Sequence, residues 1–390
     1  MIRLRASFRV TCLSLLSGIT LLTAGCSSTE IVEQPAPLPD VTETVEFDEL
    51  WSVSVGDGHD DELLQLAPLY AGDTIYAASA DGVVMSVASE NGDVQWEREL
   101  DDRIFAAPGA DTRQLYVVSS NAELIALSRE DGSEQWRAEL PTEVLAAPQS
   151  NGSLVAVQTI DGRLISFNAS SGEQLWQYQA QVPALTLRGG AAPLVGGDIV
   201  IGSFSNGRVI ALSADTGQPV WQYQVGQPQG RTELERLVDI NGQPLVLDSA
   251  LMVVGYQGKL ALIETRSGQE IWSRPASSYY APAIGGGNIY LASANGDVIA
   301  LQGSDRRELW IQDQLSWRQV TRPAVSGDYL VVGDYEGYLH VLSADNGQLV
   351  GQDKFDGDGI RVPVQVLRDG KLLVYGNSGD MAVLQLEQDN

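Results

Sequence analysis

One spacing governs this chain. A turn dipeptide is followed, fourteen residues past its second member, by a position reserved for tryptophan. Asp81-Gly82 leads to Trp96, Asn121-Ala122 to Trp136, Asp161-Gly162 to Trp176, Asn206-Gly207 to Trp221, Gln257-Gly258 to Trp272, and Asn295-Gly296 to Trp310. A seventh copy, Glu336-Gly337, arrives at Gly351, so one tryptophan is missing. Self-similarity at a period of about 40 to 50 residues marks a blade-repeat architecture, because a small sheet can bury its faces only against a neighbouring copy.

The repeat resolves into strands. An Ala-Pro pair recurs at Ala67-Pro68, Ala107-Pro108, Ala147-Pro148, Ala192-Pro193 and Ala281-Pro282, with Arg322-Pro323 and Val362-Pro363 as variants. Proline cannot donate to a ladder, so the spacing predicts that it is the first residue of a strand. A strand such as 74–78 follows, then the turn dipeptide, whose positive φ Gly and Asn meet at low steric cost. Strands 83–88 and 94–100 complete a four-stranded antiparallel meander, which is one propeller blade.

The two chain ends set the blade count. The last proline-led unit, from Pro363 through Gly379 to Leu386, supplies three strands. Residues 49–55 supply the fourth, since Leu50-Trp51 repeats the Leu-Trp of Leu175-Trp176 and Leu309-Trp310. The expectation is an all-β, eight-bladed propeller over residues 47–390, closed non-covalently by its N-terminal strand, with Trp51 joining the six reserved tryptophans as a blade-docking residue. Closure removes an open sheet edge.

Composition agrees: 390 residues with 40 glycines and 44% hydrophobic residues suit many short strands joined by tight turns. Residues 1–25 differ in kind. Arg3, Arg5 and Arg9 precede an apolar stretch from Val10 to Leu22 and then Thr23-Ala24-Gly25-Cys26, which reads as a secretory signal rather than a membrane span. Residues 26–46 are acidic and proline-bearing without strand or helix periodicity and read as a flexible tether, with a reach of at most about 65 Å over twenty residues. Cys12 falls inside the signal, so the mature chain keeps Cys26 alone and has no internal disulfide. Formal net charge is −27; removing three arginines with the signal leaves 21 basic and 51 acidic residues, or −30. That excess, with no basic stripe, excludes nucleic acid as a partner class.

The tail of each repeat, as in Ala214-Asp215-Thr216-Gly217-Gln218-Pro219-Val220-Trp221, resembles the tryptophan-docking motif of pyrroloquinoline-quinone-type propellers. In that family the indole packs between adjacent blades and its N–H finds a carbonyl, as a large buried aromatic with one donor requires. The small-residue box ending in Cys26 resembles that of bacterial lipoproteins, although Thr23 stands where Leu is usual. The lipidated cysteine would then become the mature N-terminus.

Lipobox, tether, eight blades and length together resemble the BamB family of lipoproteins of the outer-membrane β-barrel assembly machinery, over essentially the whole chain. Two segments sharpen the likeness. Ala184-Leu185-Thr186-Leu187-Arg188-Gly189 is similar to the family's Leu-x-Leu-Arg-Gly loop, and the segment from Glu233 through Arg236, Leu237 and Asp239 to Asn241 to its Glu-x-x-Arg-Leu-x-Asp segment. The resemblance implies a non-enzymatic scaffold, anchored by its lipid (palmitate) to the outer membrane and facing the periplasm. It implies contact with the periplasmic domains of the barrel subunit BamA through Leu185, Leu187, Arg188, Asp239 and Asn241. Asn241 departs from the acid the family often has there. Other assembly-complex lipoproteins are implied partners, and unfolded outer-membrane clients are a further candidate.

Spacing points to the same place. From the reserved tryptophan to the next proline is usually 10 to 13 residues, but 17 after Trp176 and 23 after Trp221, taking Pro244 as the marker. Both insertions connect an outermost strand to the next innermost strand, so both emerge on one face. Long neighbouring loops on a rigid ring make an interaction site. Leu185 and Leu187 either dock into a partner or fold back on the blade. Arg188 either pairs with blade acids or offers its fork to a partner.

Two other classes compete with this reading. Quinoprotein enzymes use the same blades, but they are longer, carry a calcium-bound cofactor and commonly a disulfide between adjacent cysteines. Here the only histidines are His59 and His340, with no Cys/His metal spacing and no Gly-x-Ser-x-Gly elbow, so no cofactor is expected. His340 reads as structural, and Asp57, His59, Asp60, Asp61 and Glu62 as a solvated acidic loop rather than a calcium loop. A periplasmic peptide-binding propeller, taking strands on its blade edges, is the third class.

Overall fold

The structure, a computed structural model, describes residues 33–60 and 62–388. The signal segment and Cys26 lie outside the described residues. Eight four-stranded antiparallel sheets succeed one another along the chain. We number them as blades 1 to 7 over residues 69–99, 104–139, 149–179, 194–224, 245–276, 283–312 and 324–354; blade 8 combines 365–388 with the N-terminal strand Val45–Ser54. That strand pairs antiparallel with Asp380–Gln388, from Val45 opposite Gln388 to Ser54 opposite Asp380, and closes the ring.

The two middle strands of a blade are buried on both faces. In Gln114–Ser119 and Glu123–Ser128, Leu115, Val117, Val118, Leu124, Ile125 and Leu127 have no exposure. Such strands read as continuous apolar runs because each face meets another blade. The prolines act slightly differently from the expectation. Pro68, Pro148, Pro193, Pro244, Pro282 and Pro323 directly precede the innermost strands and Pro363 stands two residues ahead, whereas Pro108 sits inside its strand at a bulge. Without an N–H, proline ends the loop rather than opening the ladder.

Every blade bulges at the same place. In the pairing of third and fourth strands the register slips at the residue before the reserved position: Gln95, Gln135, Leu175, Val220, Ile271, Leu309, Val350 and Leu50 are each skipped. A bulge re-aims the side chain beside it. Here it turns the indole toward the next blade. Trp51, Trp96, Trp136, Trp176, Trp221 and Trp310 donate their Nε1–H to the carbonyls of Ser89, Arg129, Ala169, Ala214, Thr265 and Ala344, at 2.6–3.2 Å. Each ring lies under the glycine of that blade's third-to-fourth-strand turn. A Cβ on Gly132, for instance, would stand 2.7 Å from Trp96. Trp272 differs: the turn it meets carries Arg306 at φ 63°, and the guanidinium covers the ring at 5.2 Å.

Gly351 follows from the same geometry. A tryptophan there would need the turn between the third and fourth strands of blade 8, but in blade 8 those strands come from opposite chain ends and no turn joins them. The entering chain fills the place: a Cβ on Gly351 would lie 2.3 Å from the Val45 carbonyl, and the Thr44 N–H donates to the bulged Val350 carbonyl at 2.8 Å. The end of the segment read as a tether is therefore built into the ring, with the closing strand running over Val45–Ser54 rather than 49–55.

A candidate protein-interaction face

In an up-and-down meander, the second-to-third-strand turns and the connections to the next blade share one face. Two of those connections are the predicted insertions, 180–193 and 225–244. A third long one, 55–68, joins the closing strand to blade 1 and went unnoticed in the sequence, although Trp51 to Pro68 is also 17 residues.

The two insertions brace each other. Asp239 is 2% exposed, and its carboxylate accepts N–H donors from Leu187 at 3.1 Å and Ile240 at 2.8 Å, while its own carbonyl accepts from Tyr256 at 2.8 Å. Burial pushes the Asp239 carboxyl above its usual range, and the Leu187 and Ile240 N–H groups oppose that rise. Asn241 packs on Gly189, whose Cβ, if it had one, would stand 2.8 Å from the Asn241 amide. Gln243 donates to the Pro193 carbonyl at 3.1 Å. Residues 239, 241 and 243 thus hold 187, 189 and 193 in register.

This divides the predicted site residues. Leu185 is 42% exposed and Arg188, at φ 45°, projects a side chain 62% exposed, so both are available to a partner. Leu187 is half-buried, and Asp239 and Asn241 face inward. Asp239, expected at the surface, is instead buried, and its two carboxylate oxygens take the Leu187 and Ile240 N–H groups, so it braces the loop from within. Arg188 also pairs with Glu143 across the loop of the preceding blade, at 2.9 Å. An ion pair this exposed contributes about 0–1 kcal/mol and leaves most of the guanidinium's donors free.

The tip of 225–244 carries a residue that the sequence reading missed. Thr232 and Glu235 form a capping box: the Glu235 carboxylate accepts the N–H groups of Arg231 and Thr232 at 2.6 and 3.1 Å, and the Thr232 hydroxyl accepts the Glu235 N–H at 3.2 Å. Those donors hold the Glu235 carboxyl below the usual range. The resulting turn buries Leu237 and Val238 and leaves Leu234 69% exposed. The Thr-x-x-Glu signature was there to be read.

The histidines face inward. His59 is buried, with Nδ1 donating to Asn377 Oδ1 at 2.8 Å, and burial lowers its pKa to about 4. His340 Nε2 lies 2.9 Å from Asp334 Oδ2. Asp60 and Glu62 pair with Arg103 at 2.9 and 3.6 Å, and Asp61 lies outside the described residues. Among the described residues no cluster of three or more His, Cys, Asp or Glu is placed to hold a metal, and no helix is long and apolar enough to cross a membrane.

A family model described as outer membrane protein assembly factor BamB matches residues 101–312. A relative from Marinobacter adhaerens named outer membrane protein assembly factor BamB is 71% identical over 372 residues, covering 95% of each chain. The crystal structure of BamB from Moraxella catarrhalis superposes with a TM-score of 0.79 at 30% identity, covering 87% of this chain and 99% of that one. A quinohemoprotein alcohol dehydrogenase from Comamonas testosteroni has a TM-score of 0.67 at 12% identity, over 87% of this chain and 76% of that one, and shares the fold alone.

Proposed function

Because the chain belongs to the BamB family, a family of outer membrane protein assembly factors rather than enzymes, we propose that it is a non-catalytic scaffold of the outer-membrane protein assembly machinery. In this reading Cys26 carries the lipid that anchors it to the outer membrane, the ring stands in the periplasm, and the partner is the periplasmic part of the barrel subunit. The observation that carries the reading is the pair of mutually braced loops on one face, which present Leu185, Arg188 and Leu234 to solvent on a rigid ring. A large apolar side chain held in the open, beside an arginine with unused donors, has the composition of an interface hot spot.

Co-purification of the barrel subunit with wild type and with Leu185→Ala/Arg188→Ala tests this. Binding is expected to weaken by about tenfold or more, as for loss of a hot-spot pair, while circular dichroism is unchanged. Undiminished capture by the folded variant would remove these residues from the interface.

A further inference from the structure

We propose that Arg318 is a latch that holds residues 36–44 as a strap across the outside of blade 7, sealing the one junction that has no docked tryptophan. Arg318 lies in the loop between blades 6 and 7 and is buried. Its Nε and Nη2 reach Asp334 Oδ2 at 2.8 and 2.7 Å, and Nη2 also pairs with Glu336. Asp334 is fixed in turn by the N–H groups of Glu336 and Tyr338 on Oδ1, at 2.9 and 3.0 Å, and by His340 on Oδ2. With the guanidinium so clamped, one nitrogen remains, and Nη1 donates to the Ala36 carbonyl at 3.0 Å. The Ala36 N–H donates to Ser316 at 2.9 Å, so both backbone groups of Ala36 are held by the same loop.

The loop is bent to make this possible. Trp317 and Gln319, on either side of Arg318, adopt φ 62° and 53°, a region costly for side chains of their size. That twist sends Arg318 inward and leaves Trp317 41% exposed beside the clamp. Strain of this kind persists only where the surroundings over-determine it.

The other end of the strap is the Thr44 bond to the bulged Val350 carbonyl, on the opposite face of the ring from Ala36. The nine residues from Ala36 to Thr44 inclusive make eight steps and can span about 27 Å, more than the roughly 20 Å of the outer strand Leu349–Lys354. The strap thus crosses the blade whose outer strand carries Gly351. It does for that blade what the indole does for the others, and covers part of an edge that would otherwise be open to another chain.

Backbone hydrogen exchange on the full chain, wild type against Arg318→Met and Ala36→Pro, tests the latch. Ala36→Pro removes one strap bond and leaves the buried charges in place. Exchange at Thr44, the bonded strap amide that both variants keep, is expected to accelerate by about tenfold or more in each, with blades 2 to 5 unchanged. Should Arg318→Met fail to fold, Ala36→Pro decides alone. An unprotected Thr44 amide in the wild type, or protection there that neither variant alters, would overturn the proposal.

Discussion

A docked tryptophan in this ring needs a bulge to aim it, a carbonyl to accept its N–H, and a glycine turn to lie under, and the exceptions show which requirement is missing. Gly132 supplies all the space Trp96 needs, and it also holds φ 71°, so Gly132→Ala places a methyl against the ring and strains the turn. We expect a loss of about 2 kcal/mol or more by urea denaturation. At the equivalent place under Trp272, Arg306→Gly relieves strain of about 1 kcal/mol and forfeits a cation–π contact of similar size, so stability is expected to change by less than about 1 kcal/mol. At His59 the folded pKa of about 4 lies below the unfolded 6.5. The unfolded chain therefore binds a proton first, and stability falls as pH drops through that window, by up to about 3 kcal/mol. In His59→Gln, which can still donate to Asn377, the slope of stability against pH between 7 and 4 is expected to flatten.

At the scale of the element, the strands were legible and the contacts between loops were not. Tryptophan spacing, Ala-Pro pairs and Leu50-Trp51 gave the blades and their closure, because each records a local requirement repeated along the chain. The bulges escaped, since one skipped residue leaves no mark in an apolar run. So did the partnership of Leu187 with Asp239, which joins a backbone N–H to a side chain 52 residues away. A charged residue in an acidic chain reads as surface, and only the fold reveals Asp239 inside. Asp239→Ala frees the Leu187 amide without touching an exposed residue. Its exchange is expected to rise by about tenfold, with weaker partner capture. Unaltered protection at Leu187 would mean that the loop is held some other way.

For the whole molecule, the seam explains more than the repeat does. Gly351 stands where the chain ends replace a turn, so the missing tryptophan and the entry of the chain are one event. Gly351→Ala would push its methyl onto the Val45 carbonyl, and a loss of about 1–3 kcal/mol is expected by thermal denaturation. A ring closed in this way is a rigid platform, and its function rests on which face is engaged. Leu63, Leu185, Leu234 and Trp317 all project from the face of inter-blade connections. Arg113 and Glu130 lie exposed in turns on the other face. Photo-crosslinking from each of these positions in the intact assembly complex is the measurement that tests the account most directly. Capture of the barrel subunit from positions 185 and 234 but not from 113 and 130 is the predicted result. Capture from 113 and 130 alone would contradict it and move the interface to the opposite side of the ring.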